Sequence, residues 1–104
     1  MSHDGYLKHA EEVMFRGSGN VSYDAKRYQF VLTNKRIVLL GPLDSRRDEI
    51  VTVKLSRLHD VRYNESGLSR ERGDLQIETE DLRMDLYGPA EETKEAYEHV
   101  RQLV

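Results

Sequence analysis

Seven cations are spaced so that loops of one folded chain could gather them on a single rim: Arg16, Lys26, Arg27, Arg46, Arg47, Arg70 and Arg72. Arginine offers a planar fork of donors that meets a phosphate bidentately, and lysine a compact point charge. A converging set therefore suits a phosphorylated headgroup or an anionic peptide. The other chemistry-bearing residues are poorly arranged for work. Ser2, His3 and Asp4 are triad types, but they stand side by side at a terminus, whereas a triad is assembled in space on a rigid scaffold. His9 with Glu11 and Glu12, and His59 with Asp60, come nearest to a metal-ligand pattern. Neighbours on a strand point to opposite faces, so His59 and Asp60 do not readily share an ion. Gly17-Ser18-Gly19 lacks the lysine and the following helix of a phosphate loop. No cysteine is present, which removes disulfides, thiol nucleophiles and thiolate metal sites. The expectation is a protein with no catalytic residues, no bound metal and no cofactor.

Any such rim must be held by a scaffold, and the alternation of apolar residues says which. Residues 27–40 read as two strands joined at Asn34-Lys35, with Leu32 facing Ile37, Val31 facing Val38 and Phe30 facing Leu39. Asn34 tolerates the positive φ of tight hairpin turns. Tyr28, Phe30, Leu32, Ile37 and Leu39 then share one apolar face, and a slip of one residue would expose them all. The opposite face carries Gln29, Val31, Thr33, Arg36, Val38 and Leu40, more aliphatic than a solvated face requires. It is either an interface or a surface covered by residues 1–12.

Residues 74–87 form a second hairpin, turning at Glu80-Asp81, with Ile77 opposite Met84 and Leu75 opposite Leu86. Its alternation is clean, with Leu75, Ile77, Thr79, Leu82, Met84 and Leu86 on one side and charge on most of the other. That pattern marks antiparallel strands with one face in the core and one in water. Further strands are expected near 13–16 with a bend at 17–20, at 49–55 and at 59–64. Gly88-Pro89 ends the strands and starts a helix, proline being favoured at the first helical position. Ala96, Tyr97, Val100, Leu103 and Val104 supply the apolar stripe by which the helix docks.

The 104 residues make one domain: a lead-in over 1–12, then strands over about 13–87 and a helix over about 89–104. The net charge of −3 is uneven. Residues 1–73 hold thirteen cations against ten anions, and residues 74–104 three against nine. Nucleic acid is not an expected partner, since it needs a concentrated basic surface. No apolar run approaches a membrane span and no signal-peptide segment is visible, so a cytoplasmic protein is expected, peripheral to a membrane in the lipid-binding alternative.

This order resembles the pleckstrin-homology (PH) superfold, and the local wording resembles the bacterial PH-like and GRAM-like families. The matching stretches are 12–17, 30–39, 53–61 and 96–100, the most specific being Leu32-Thr33-Asn34-Lys35-Arg36. The resemblance implies a mainly β fold, a barrel of about seven antiparallel strands in two near-orthogonal sheets capped by a C-terminal α-helix. It also implies a non-catalytic module that binds a protein or a lipid. The superfold's usual phosphoinositide site lies at the first, third and sixth inter-strand loops. Here the sixth loop carries Glu78, Glu80 and Asp81, and Gln29 breaks the paired basic pattern that starts at Arg27. The leading expectation is therefore a protein partner or a second copy of the chain, docked on the Gln29–Leu40 face. The alternative is an anionic membrane surface met by the basic rim.

Overall fold

The computed structural model describes residue 8, residues 10–43 and residues 49–104. Ser2-His3-Asp4, His9, Arg46 and Arg47 lie outside the described residues. Among the described residues, eight strands and one helix follow in order: β1 Val13–Arg16, β2 Val21–Tyr23, β3 Lys26–Thr33, β4 Arg36–Gly41, β5 Glu49–Lys54, β6 Leu58–Ser66, β7 Arg72–Thr79, β8 Arg83–Pro89 and α1 Ala90–Leu103. A 3-10 turn, Leu55–Arg57, joins β5 to β6.

All strand pairs are antiparallel, along the path β5-β4-β3-β2-β8-β7-β6, with β1 added beside β3. The path ends at β5 and β6 and does not close, so the expected barrel is an open sheet. Eight strands replace the expected seven because the first is cut at Gly17–Asn20. Its two halves pair with opposite ends of β3: β1 opposite Leu32 and Val31, β2 opposite Tyr28, Arg27 and Lys26. The two-residue turn between β2 and β3 has positive φ at both Asp24 and Ala25, the geometry whose twist matches that of the strands.

The β3–β4 register is the expected one, Phe30 opposite Leu39, Val31 opposite Val38 and Leu32 opposite Ile37. Likewise β7 and β8 place Ile77 opposite Met84 and Leu75 opposite Leu86. Asn34 serves a different purpose from the expected one. It is not among the positive-φ residues, and its side chain ties down the lead-in instead. Its Oδ1 accepts the Glu12 N–H at 2.8 Å, its own N–H donates to the Glu12 carbonyl at 2.9 Å, and its Nδ2 donates to the Ala10 carbonyl at 3.3 Å.

Tyr28, Phe30, Leu32, Ile37 and Leu39 join Leu75, Ile77, Met84 and Leu86 in one buried cluster, closed by Ala96 and Val100 of α1. The helix seats through Ala90, Thr93, Ala96 and Val100, with Tyr97 stacked on Tyr63 at 5.9 Å. Leu103 and Val104 are 38% and 57% exposed, so the last turn reaches past its seat and they leave the expected stripe. Pro89 is the N-cap rather than the first helical residue, and its carbonyl accepts the Thr93 hydroxyl at 2.9 Å. Gly73 permits the close approach: a Cβ there would overlap Thr93 Oγ1. Leu82 also leaves its expected face, lying in the β7–β8 turn 43% exposed.

Candidate functional site

The loops expected to share one end divide: along the antiparallel path the β2–β3 and β4–β5 connections lie on one side of the Arg27–Ser22–Tyr87–Asp74 row, and the β6–β7 turn lies on the other, beside the β1–β2 corner. The Leu43 N–H donates to the Arg27 carbonyl at 2.8 Å, joining the β4–β5 connection to β3. Leu43 also lies against Gly19 of the β1–β2 corner. A depression of about 340 Å³, lined by Asn20, Glu71, Arg72, Gly88 and Pro89, joins that corner to the start of β7. Lys26, Arg27, Arg70 and Arg72 are all exposed.

Arg16 goes elsewhere. With Phe15, Gly17, Ser18 and Pro89 it lines a groove of about 520 Å³ whose remaining wall is Glu91, Glu92 and Glu95. The groove is braced by Glu92, whose Oε1 accepts the Ser18 N–H at 2.8 Å and the Ser18 hydroxyl at 2.5 Å. Arg16 thus faces an acidic wall instead of the other cations.

The loop between β6 and β7 is where residue reading alone fell short. The Arg70 N–H donates to the Gly67 carbonyl at 3.2 Å, closing a turn whose two central residues are Leu68 and Ser69. Glu71 stiffens it, since its Oε2 accepts the Ser69 N–H at 2.9 Å and its carbonyl accepts the Ala90 N–H at 2.8 Å. Gly67 holds φ +95°, a conformation that residues with a Cβ rarely adopt, so glycine suits this position. Turn apices favour glycine, proline, asparagine, aspartate and serine. This one presents a leucine that is fully exposed, with Arg70 and Arg72 following it. Leu43, on the β4–β5 connection, is 47% exposed. The available signal was a lone leucine inside Ser66-Gly67-Leu68-Ser69-Arg70.

The Gln29–Leu40 face offers no open apolar surface. Val31, Thr33 and Val38 are completely buried, while Gln29, Arg36 and Leu40 are half-buried. The described part of the lead-in crosses the far end of this face. Glu11 accepts Arg36 Nε at 2.8 Å on Oε2 and Arg36 Nη2 at 3.0 Å on Oε1, and Oε2 also takes the Thr33 hydroxyl at 2.7 Å. The Lys8 N–H adds a fourth bond at 2.8 Å. The Arg36 hydrogen bonds outweigh the opposing effect of burial, and the Glu11 carboxyl falls from the ordinary 4.5 to about 2.

The weak metal candidates separate as well. Asp60 Oδ2 is taken by Arg62 Nε at 2.6 Å, and His59 is exposed on its own. Among the described residues no three of His, Asp and Glu come together as a metal site.

No protein-family model matches the chain, and no curated protein matches its sequence. A solved structure does: the "Vps36 N-terminal PH domain" superposes with a TM-score of 0.61 at 16% identity, over 92% of this chain and 86% of that one. The fold is PH-like. At that identity the likeness speaks for the architecture alone, a mostly antiparallel sheet with one C-terminal helix.

Proposed function

We propose that this is a non-catalytic PH-like module, of the bacterial or GRAM-like kind, that docks peripherally on an anionic membrane through the β6–β7 end. One observation carries the reading: Leu68, fully exposed at the apex of a hydrogen-bonded turn, with Arg70 and Arg72 behind it. A rigid apolar tip enters the acyl boundary, and the cations behind it stay at headgroup depth, each worth about 1 kcal/mol near an anionic surface. The depression beside Arg72 is where a headgroup phosphate would rest. Peripheral docking also fits a chain in which, among the described residues, no helix is long and apolar enough to cross a membrane.

The test is co-sedimentation with vesicles of zwitterionic lipid, with and without anionic lipid, over a range of salt. Binding should require the anionic lipid and weaken as salt rises. Leu68→Asp and the pair Arg70→Gln with Arg72→Gln should each abolish it without moving the melting temperature. Equal binding to both vesicle types, or none to either, would sink the proposal. A protein partner docking at the same end is the second outcome, recognised if the variants lose that partner and vesicles never bind.

A further inference from the structure

We infer that the outer edge of β5 takes an extended peptide as an added antiparallel strand, with one of its side chains seated in a cleft beside the β7–β8 turn. Among the described residues β5 pairs on one side only, with β4, and no described group bonds to its other edge. The register says which backbone groups point outward. The Leu55 N–H donates to the Lys35 carbonyl at 3.0 Å, which makes that facing pair a hydrogen-bonded one. Bonded and non-bonded pairs alternate along an antiparallel ladder, so Val53 and Val51 bond to β4 and the residues between them do not. The N–H groups of Ile50, Thr52 and Lys54, with the Ile50 and Thr52 carbonyls, therefore turn to the open edge.

Such edges are ordinarily blunted by a bulge, a proline or a charge in mid-strand. Strands β1 and β6 also pair on one side only among the described residues, and each carries a register break, β1 between Val13 and Phe15 and β6 between Leu58 and Asp60. β5 has none. It runs unbroken from Glu49 to Lys54, with its lysine at the end and Ile50 52% exposed.

The second observation is the cleft beside that edge. It measures about 310 Å³, with Thr52, Val53, Lys54 and Arg57 on one side and Asp81 and Leu82 on the other. The far wall is stiff: the Thr79 N–H donates to the Leu82 carbonyl at 2.8 Å, and the Leu82 N–H donates to Thr79 Oγ1 at 3.1 Å. Leu82 is thereby held 43% exposed at the cleft.

In strand addition the backbone supplies affinity, and pockets for alternate side chains supply selectivity. An antiparallel strand meets Lys54 first, then Thr52 and Ile50 at every second residue. A carboxylate suits the position opposite Lys54, a β-branched residue the one opposite Thr52, and an aliphatic one covers Ile50. The side chain opposite Val53 turns to the other face and fills the cleft against Leu82. Glu-Val-Thr-Val-Ile is a matching segment. A second copy of this chain fits less well. Edge pairing about a two-fold axis keeps like faces together, so it would bring a second β7–β8 turn over the joined strands.

The acetylated peptide Glu-Val-Thr-Val-Ile, titrated into the full chain and followed by amide shifts and hydrogen exchange, tests the edge. Protection should appear at the Ile50, Thr52 and Lys54 amides, with Val51 and Val53 unchanged because β4 already holds them. N-methylation of the peptide's threonine removes a pairing donor and should weaken binding about tenfold. N-methylation of the valine before it, whose N–H points away, should not. Thr52→Pro should weaken the parent peptide likewise with little change in melting temperature, since the lost N–H is an outward one. No saturable shift, equal losses from both methylated peptides, or new protection at Val51 and Val53 would refute strand addition. Protection of Thr52 in the free chain, with a dimeric mass by light scattering, would make a second copy the occupant and overturn the peptide. None of these readouts involves the β6–β7 end, so the result stands apart from the membrane reading.

Discussion

The outer faces of the two hairpins differ more than their similar registers suggest. Behind β3 and β4 lie Val31, Thr33 and Val38, all completely buried, so that hairpin is enclosed on both sides. Behind β7 and β8 lie Asp74, Gln76, Glu78, Arg83, Asp85 and Tyr87, a ladder of polar groups that are exposed or half-buried. One face is covered and closed by an ion pair, and the other is left to water. The covered side carries a charge at a profit, because Glu11 has four donors around it. The wet side carries charge at a small loss, since Asp74 and Asp85 each keep a buried carboxylate oxygen without a partner.

The largest effect should come from charging the covered face. Val38→Asp places an unpaired carboxylate in a fully buried position and should remove at least about 3 kcal/mol, whereas Glu78→Gln on the wet face should stay within about 0.5 kcal/mol. Chemical denaturation measures both, and similar losses would dissolve the distinction. Gly73→Ala comes next, on the packed inner side of the wet sheet. Its Cβ would overlap Thr93 Oγ1, so a loss of about 2–4 kcal/mol is expected in the same assay, partly restored by Thr93→Ala.

Glu11→Gln is the third, with an expected loss of about 1–3 kcal/mol after screening. The sign of its pH dependence follows from a folded value below the unfolded one. The carboxylate's contribution is complete above about pH 4.5 and vanishes as pH falls toward 2. The stability difference between wild type and variant, measured against pH, should therefore shrink across that window. The smallest effect has the opposite sign. Burial, then the charge of Asp85, raises the Asp74 carboxyl above its ordinary 3.8. The ionised form accordingly weakens the fold above that raised value, and relief comes as pH falls toward 3.8. Asp74→Asn should stabilise at neutral pH by less than about 1 kcal/mol, visible as a small rise in melting temperature.

Alternation in the sequence was enough to set both hairpins, because a one-residue slip in either would turn its whole apolar set to water. It also flagged the covered face, since Val31, Val38 and Leu40 exceed what a solvated surface needs. Cover by residues 1–12 was one of the two readings of that face, but the bond that closes it was not legible: Glu11 sits in a polar segment, 25 residues from the arginine it binds, and nothing local marks the pairing. The hand-off at Gly17–Asn20 read as a bend within one strand, because both halves alternate alike and only the partners differ. Leu103 and Val104 continue the helical spacing, yet whether strands lie beneath the final turn is a tertiary fact. Among the expected rim cations, Arg16 could not be set apart without the glutamates of α1. Leu68 was overlooked because its exposure depends on the turn that holds it.

The chain contains no tryptophan, so one introduced at Leu68 reports on that position alone. With vesicles containing anionic lipid, the emission of Leu68→Trp should shift to the blue and quench with acyl-chain bromination, while Leu82→Trp in the β7–β8 turn keeps its aqueous spectrum. A Leu68→Trp spectrum unchanged by vesicles that do bind the protein, or a shift at Leu82→Trp instead, would contradict docking through the β6–β7 end.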